Sequence, residues 1–179
     1  MERVPYRATA GSEPYSHLQL PVRILLDNVR SMYNVGAFFR TADGGGIEGL
    51  LLSGITARPP KKEITKTALG AETRVPWEAV NDPANAIGHL RAEGYEIAAL
   101  ETSMRACDIF DWQPRFPVCM LFGHEVDGID PSLLEGCDTH VRIPMLGMKH
   151  SLNVANAGAV VIYELLRKYR ALRESASFR

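Results

Sequence analysis

The residues with the chemistry to build a site stand where apolar runs of the chain end. Ser151 and Asn153 open a helix that starts near Val154. A helix entry leaves backbone N–H groups free, and short polar side chains are the usual groups to meet them. Ahead of it runs a turn with Pro144, Gly147, Met148 and Lys149. Glu125 and Asp127 bracket a second glycine-containing loop, GHEVDG, after the apolar run PVCMLF. Asn34 stands at the entry of another helix as a candidate cap. Arg40 follows it by about two turns at most. A polar helix end facing a glycine loop suits ligand binding, and an ordinary capped core helix accounts for the same residues equally well.

Other chemistries lack their parts. His17, His89, His124, His140 and His150 are scattered, and no Ser-His-Asp or Cys-His arrangement can be located from spacing. Two carboxylates beside a loop are not a hydrolytic pair without geometry. No GxGxxG directly follows the first apolar run and no GxxxxGK precedes a Ser or Thr, which disfavours nicotinamide and nucleotide enzymes. The run DGGGIEG follows a helix instead of opening one, so it is not a phosphate loop. Cys107, Cys119 and Cys137 fall in no CxxC spacing, which argues against a disulfide framework and a zinc site. Reduced thiols and the lack of an apolar signal core near Met1 lead us to expect the cytoplasm.

The net charge of −1 means that any nucleic-acid binding must come from a local patch. Arg58, Lys61, Lys62, Lys66 and Arg74 form the densest basic cluster before the C-terminus. It reads either as a solvated loop or as a surface for phosphates.

The elements that must position these groups alternate between strand and helix. Apolar runs give strands at Val22–Asp27, Leu50–Ser53, Tyr95–Leu100, Pro117–Phe122 and Cys137–Ile143. Between them lie a helix stopped by Gly44, Gly45 and Gly46, a short helix near Glu63–Leu69, one opened by Asn81-Asp82-Pro83 and one opened by Asp130-Pro131. Glu101 to Phe116 reads as an irregular connection. The pattern predicts an α/β fold with a mainly parallel sheet of five to six strands and helices on both faces. Residues 1–20 are expected to form an extended arm and residues 21–179 a single domain. From Val154 to Tyr163 the last helix carries no charge, which predicts burial on all sides. Its small residues, Ala155, Ala157, Gly158 and Ala159, would let another backbone come close. Arg167, Lys168, Arg170 and Arg173 would complement the dipole at its end. The loops 28–34, 101–104, 123–128 and 144–151 fall at the carboxyl ends of strands, where open α/β sheets bind ligands.

Three segments resemble the signature motifs of the SpoU-type (TrmH-like) RNA 2′-O-ribose methyltransferases of the α/β-knot superfamily. They are LDNVRSMYNVGAFFRTAD, LFGHEVDGI and IPMLGMKHSLNVANAGAVVIYE, and KTALGAETRVPW between them is also similar. The resemblance implies a C-terminal deep trefoil knot, S-adenosylmethionine as cofactor and a homodimer with the site near the subunit interface. It assigns cofactor contacts to Leu100, Gly123, Ile143, Met145, Ser151 and Leu152, and catalytic roles to Asn34, Arg40, Glu125 and Asn153. The implied substrate is RNA, with tRNA the leading expectation. Ribosomal RNA, or a non-catalytic RNA-binding protein on the same fold, is the alternative. An arginine base would face a gap of at least roughly 5 pKa units at neutral pH, about 7 kcal/mol. We therefore expect Arg40 to grip the neighbouring phosphate, with Asn34, Glu125, Ser151 and Asn153 holding Arg40 and the ribose. Val126 and His150 depart from the family pattern and bear on substrate preference.

Overall fold

The computed structural model describes residues 18–177. The expected arm therefore lies outside the described residues except at its very end, where Leu20 already belongs to the first strand. In chain order the elements are β1 Leu20–Asp27, α1 Met32–Gly45, β2 Ile47–Ser53, α2 Lys62–Ala68, β3 Trp77–Val80, α3 Pro83–Ala92, β4 Glu96–Leu100, β5 Cys107–Asp108, β6 Val118–Phe122, α4 Pro131–Glu135, β7 Thr139–Arg142 and α5 Val154–Ser177. They build one seven-stranded sheet in the order β3-β2-β1-β6-β4-β7-β5. Every neighbouring pair runs parallel.

The expectation of five to six strands is corrected to seven. The additions, β3 and β5, are the two edge strands. Their sequences, WEAV and CD, carry no apolar run because an edge strand is covered on fewer sides. The strand expected to run to Ile143 ends at Arg142.

Both faces of the sheet are covered, as the continuous apolar runs required. On one face Val22, Ile24 and Leu26 of β1 pack with Phe38 and Phe39 of α1 and Ile162 and Leu165 of α5. On the other, Leu25, Ile97 and Leu121 pack with Ile87 and Leu90 of α3 and Leu133 of α4. The strand order reverses about β1, with β2 and β3 on one side and β6 and β4 on the other. That reversal opens a crevice at the carboxyl ends of the strands.

α5 returns from β7 to pack on α1, and missing side chains allow it. A Cβ on Gly158 would stand 2.2 Å from Cε1 of Phe38, and one on Gly45 would stand 2.4 Å from Cγ2 of Ile162. The close partner of Gly158 is thus an aromatic ring and not the backbone we expected. Phe38 in turn meets Phe122 of β6 edge-on, with centroids 5.0 Å apart. α5 is also not buried on all sides. Asn156 and Tyr163 are exposed, with Ala159 and Val160 half-buried on the same side. Those positions repeat at i, i+3, i+4 and i+7, one stripe of a helix that lies on the outside of the sheet.

The basic residues of α5 do more than answer its dipole. The helix runs on to Ser177, so Arg167 and Lys168 are not in its last turn. Lys168 is buried and its Nζ donates to the carbonyls of Phe110 at 3.0 Å and Trp112 at 2.6 Å, beside Glu164. The connection after β5 is pinned to α5 in this way. On the same connection, the Trp112 indole donates to the buried Glu96 carboxylate.

Gly158→Ala tests the α1–α5 contact. Helix propensity alone would make alanine stabilising by about 1 kcal/mol. Steric conflict with Phe38 should instead lower stability by about 1–3 kcal/mol, read from urea unfolding. A more stable variant would contradict the packing.

Candidate active site

The loop after β1 is fixed by its own short polar side chains. Asn28 adopts a left-handed backbone at φ 57°, and its Oδ1 accepts from the N–H of Ile55 at 3.1 Å. The Thr56 hydroxyl accepts from the N–H of Val29 and donates to the carbonyl of Leu26. The chain then turns into α1, whose N-cap is Ser31 and not Asn34 as expected. The Ser31 hydroxyl accepts from the Asn34 N–H, and Ser31 itself is extended at φ −79°, ψ 115°. Asn34 is thereby displaced into the first turn, and its amide is free for other work.

The loop after β6 is drawn tight by its backbone and by the His124 ring, whose Nδ1 accepts from the N–H groups of Val126 at 3.2 Å and Asp127 at 3.1 Å. The N–H groups of His124 and Gly128 each donate to the other's carbonyl, at 2.9 and 3.0 Å. A Cβ on Gly123 would stand 2.2 Å from the carbonyl oxygen of Gly128, so only glycine fits there. Gly128 has φ +74°, a conformation that side chains disfavour. At the crown of this loop the Glu125 carboxylate reaches across to α1. It accepts from the N–H of Arg30 at 3.1 Å, the N–H of Ser31 at 3.0 Å and the side-chain amide of Asn34 at 3.1 Å. Partial burial pushes the Glu125 carboxyl up, but the Ser31 and Arg30 N–H groups and the Asn34 amide outweigh it and hold it below its ordinary value.

The third segment joins through Asn153. Its Nδ2 donates to Oδ1 of Asn34 at 3.2 Å. Its Oδ1 accepts from the N–H groups of Ala155 at 3.0 Å and Asn156 at 3.3 Å. Of the two polar residues at the entry, Asn153 is therefore the one that caps α5. The amide orientations follow from the carboxylate. An ionised Glu125 can only accept, so Asn34 must donate to it with nitrogen and accept from Asn153 with oxygen.

Beside this Glu125–Asn34–Asn153 string lies a cleft of about 300 Å³ at the carboxyl ends of β4, β6 and β7. Leu100, Gly123, Ile143, Met145, Ser151 and Leu152, the six positions carried over for a cofactor, all line it. Glu125 and Asn153 line it too, while Asn34 opens onto an adjoining pocket that shares His124, Glu125 and Val126 with it. Arg40 is the exception. It is exposed on α1, lines neither cavity and makes no ion pair among the described residues. Six residues along a helix turn the side chain by about 240°, so Arg40 cannot share the face of Asn34. Within one chain the string is held by its own members and not by Arg40. Val126 is 85% exposed at the rim, so it does not fill the loop beneath it. His150 is exposed on the cleft wall.

Several further residues of the site lie in or beside the strand-end loops without a chemical signature of their own. Glu101, Thr102 and Arg142 line the cleft, and the backbones of Arg30 and Ser31 anchor Glu125. Position at a strand's carboxyl end was the available signal for Glu101 and Thr102. The anchoring by Arg30 and Ser31 had none, because it uses main-chain groups that every residue has.

With this geometry in place, the likeness to known proteins is specific. Residues 21–163 match the model of the SpoU rRNA Methylase family. A Staphylococcus epidermidis protein assigned by name to the TrmH family of tRNA/rRNA methyltransferases is 30% identical over 153 residues, 86% of this chain and 61% of that one. The chain thus spans about three fifths of the length of the curated relatives it matches. The SpoU methyltransferase AviRb from Streptomyces viridochromogenes, solved in complex with the cofactor AdoMet, superposes with a TM-score of 0.74 at 30% identity, covering 82% of this chain and 57% of AviRb. A structure described by its role in 2-OH methylation of C/U34 on tRNA superposes at 0.72 with 25% identity, covering 84% of this chain and 97% of that one. A match over residues 21–163, most of the chain, is enough to say that the chain belongs to the SpoU rRNA methylase family.

Proposed function

We propose that this protein transfers a methyl group from S-adenosylmethionine to a ribose 2′-hydroxyl of RNA, with tRNA as the preferred substrate. The observation that carries the reading is the cleft itself, where all six expected cofactor positions meet directly beside Glu125 and Asn153. Its wall fits the cofactor. Leu100, Ile143, Met145 and Leu152 offer apolar side chains for a purine, and the strand-end loops offer N–H and C=O groups that need partners. AviRb, on the same fold, is known with AdoMet bound. The cofactor, when bound, supplies a methyl group activated by its sulfonium. The protein's own task is to orient the acceptor hydroxyl in line and to ease loss of its proton.

In this proposal Glu125 remains anionic and keeps Asn34 and Asn153 in register, so that the sugar meets a preset edge of amide groups. Arg40 grips the phosphate beside the target ribose. Since Arg40 points away from its own cleft, it serves the cleft of a second copy, which makes the homodimer part of the proposal. The outward stripe of α5, with Asn156 and Tyr163 exposed and Ala159 and Val160 half-buried, suits such a partner. A trefoil knot formed by the C-terminal segment belongs to the same reading, because residues 144–153 come back to the loop after β6 before α5 returns to α1. We further propose that residues 21–179 act as one domain, with residues 1–20 as an arm, in the cytoplasm. No helix among the described residues is long and apolar enough to cross a membrane. Ribosomal RNA is the second reading, favoured by the family to which the chain belongs.

Calorimetry with S-adenosylmethionine tests the enzyme against a non-catalytic binder. We expect saturable uptake by the wild type and its loss in Gly123→Ala, whose added carbon would collide with Gly128. A wild type that takes up no cofactor would refute methyl transfer. Mass mapping of 2′-O-methylated nucleosides in RNA from a deletion strain should reveal one missing mark in the tRNA fraction, and a mark lost only from ribosomal RNA would favour the second reading.

Two substitutions probe the roles. Asn34→Ala should cut turnover by about 100-fold, the usual cost of misplacing a reacting group by about 1 Å, with cofactor affinity nearly unchanged. Arg40→Lys should also turn over slowly, and near-normal turnover would rule out a specific guanidinium role.

The Glu125 linkage has a definite sign. Its folded pKa lies below the ordinary 4.5, so ionised Glu125 stabilises the fold above that value. The contribution disappears as the pH falls through the folded pKa. The stability gap between wild type and Glu125→Gln should therefore be open at neutral pH and close on acidification below 4.5. Urea unfolding across that range reads it, and a gap independent of pH would contradict the hydrogen bonding described.

A further inference from the structure

Among the described residues some arginines and lysines pair with carboxylates, and others, with Arg40, Arg74, Arg105, Arg142 and Lys149 scattered among them, enter no ion pair. Arg23, Arg91, Arg115, Arg167 and Lys168 all pair with carboxylates. Arg30, Arg58, Lys61, Lys62 and Lys66 enter no ion pair among the described residues. These five follow the carboxyl ends of β1 and β2 and run onto α2. Arg30, Lys61, Lys62 and Lys66 are exposed. The acids nearest in sequence do not answer them. Glu63 makes no ion pair, and Glu72 accepts from the N–H of Gly70. In a chain of net charge −1, five unanswered cations on one side are a local excess.

This basic side is rigidly attached to the helix that carries Asn34. A Cβ on Gly36 of α1 would stand 2.0 Å from the Thr67 hydroxyl oxygen and 2.4 Å from the carbonyl oxygen of Ile64, so α2 lies directly on α1. The Thr67 hydroxyl donates to the carbonyl of Tyr33 at 3.0 Å. Tyr33 itself is 49% exposed, at the first turn of α1 between Arg30 and α2. Arg30 also lines the pocket shared by Asn34, His124, Glu125 and Val126. Unpaired cations with an open aromatic ring among them are the combination that binds a nucleic-acid strand by phosphate contact and base stacking.

We infer that the α1–α2 surface is the track for the RNA strand flanking the target nucleotide. Lys61, Lys62 and Lys66 hold successive phosphates, Tyr33 stacks one base, and Arg30 marks where the strand enters the pocket beside Glu125. The inference rests on the reading that the substrate is RNA and assigns the surface that docks it.

The test uses the full chain and fluorescein-labelled unfractionated bacterial tRNA, titrated by anisotropy at several salt concentrations. Each phosphate contact contributes roughly 0.7–0.9 to the slope of log K against log salt. A Lys61→Ala/Lys62→Ala/Lys66→Ala variant should lower that slope by about 2–3 and weaken binding at least tenfold near physiological salt. Its melting temperature and its calorimetric affinity for S-adenosylmethionine should match the wild type. Tyr33→Ala should weaken binding about tenfold with the slope retained, as loss of one stacked base requires, and Tyr33→Phe should restore it. If the triple variant binds tRNA with wild-type affinity and slope, the surface is overturned. The two readings fail separately. Cofactor uptake with RNA binding indifferent to the lysines would sink the track alone. Lysine-dependent RNA binding without cofactor uptake would sink methyl transfer and leave the track supported.

Discussion

One carboxylate holds the site together. Glu125 has no cation partner among the described residues. It is satisfied by donors from the start of α1, two main-chain N–H groups and the Asn34 amide. A helix N-terminus is a natural seat for negative charge, because its first N–H groups lack intrahelical partners and the macrodipole is positive there. The charge then dictates the polarity of everything beyond it. Asn34 must donate to it, so Asn153 must donate to Asn34, so the oxygen of Asn153 is left to cap α5. Three segments remote in sequence acquire a single geometry from one sign of charge.

This string could not close if the helices stood at ordinary distances. Glycine removes the obstruction wherever the chain must approach itself. Gly36 lets α2 lie on α1, Gly45 and Gly158 let α5 lie on α1, and Gly123 lets its loop fold back on Gly128. Each glycine inside a helix costs roughly 1 kcal/mol against alanine, and tight packing around Phe38 and Ile162 offsets that loss. The returning α5 then brings Ser151, Leu152 and Asn153 to the wall of a cleft whose floor was laid down by β4 and β6. At the far edge of the sheet, buried Lys168 pins the connection after β5 to the same helix. Its charge is tolerated because two carbonyls accept hydrogen bonds from its ammonium and Glu164 stands beside it.

The crevice sits where a parallel sheet makes one. Strand order reverses about β1, where the Asn34 pocket opens between the loops after β1 and β6, and the larger cleft adjoins it over the carboxyl ends of β6, β4 and β7. Main-chain groups freed at those ends need partners, which favours a ligand recognised largely through backbone. The neighbouring Asn34 pocket carries the polar side chains of Ser31, Asn34 and Glu125 and adjoins the cleft wall of Leu100, Ile143 and Leu152. A two-part site of this kind can place two reactants side by side while treating each with different chemistry.

The central strands are legible along the chain, because parallel strands covered on both faces must be continuous apolar runs, and so is the stop of α1, where Gly46 takes the left-handed conformation. The sequence also marked the loops that carry Glu125, Ser151 and Asn153. The rest depends on packing between distant segments. The edge strands β3 and β5 exist by pairing with β2 and β7, which their own residues do not announce. Ser31 caps α1 in place of Asn34, whose amide is taken up by Glu125 and Asn153 from other segments. Asn34 finds Glu125 across 91 positions and Asn153 across 119. The outward stripe of α5 and the outward direction of Arg40 depend likewise on which side of each helix the sheet occupies. Periodicity reports what a residue prefers locally, whereas hydrogen bonds between distant segments are created only when packing brings their donors and acceptors within about 3 Å.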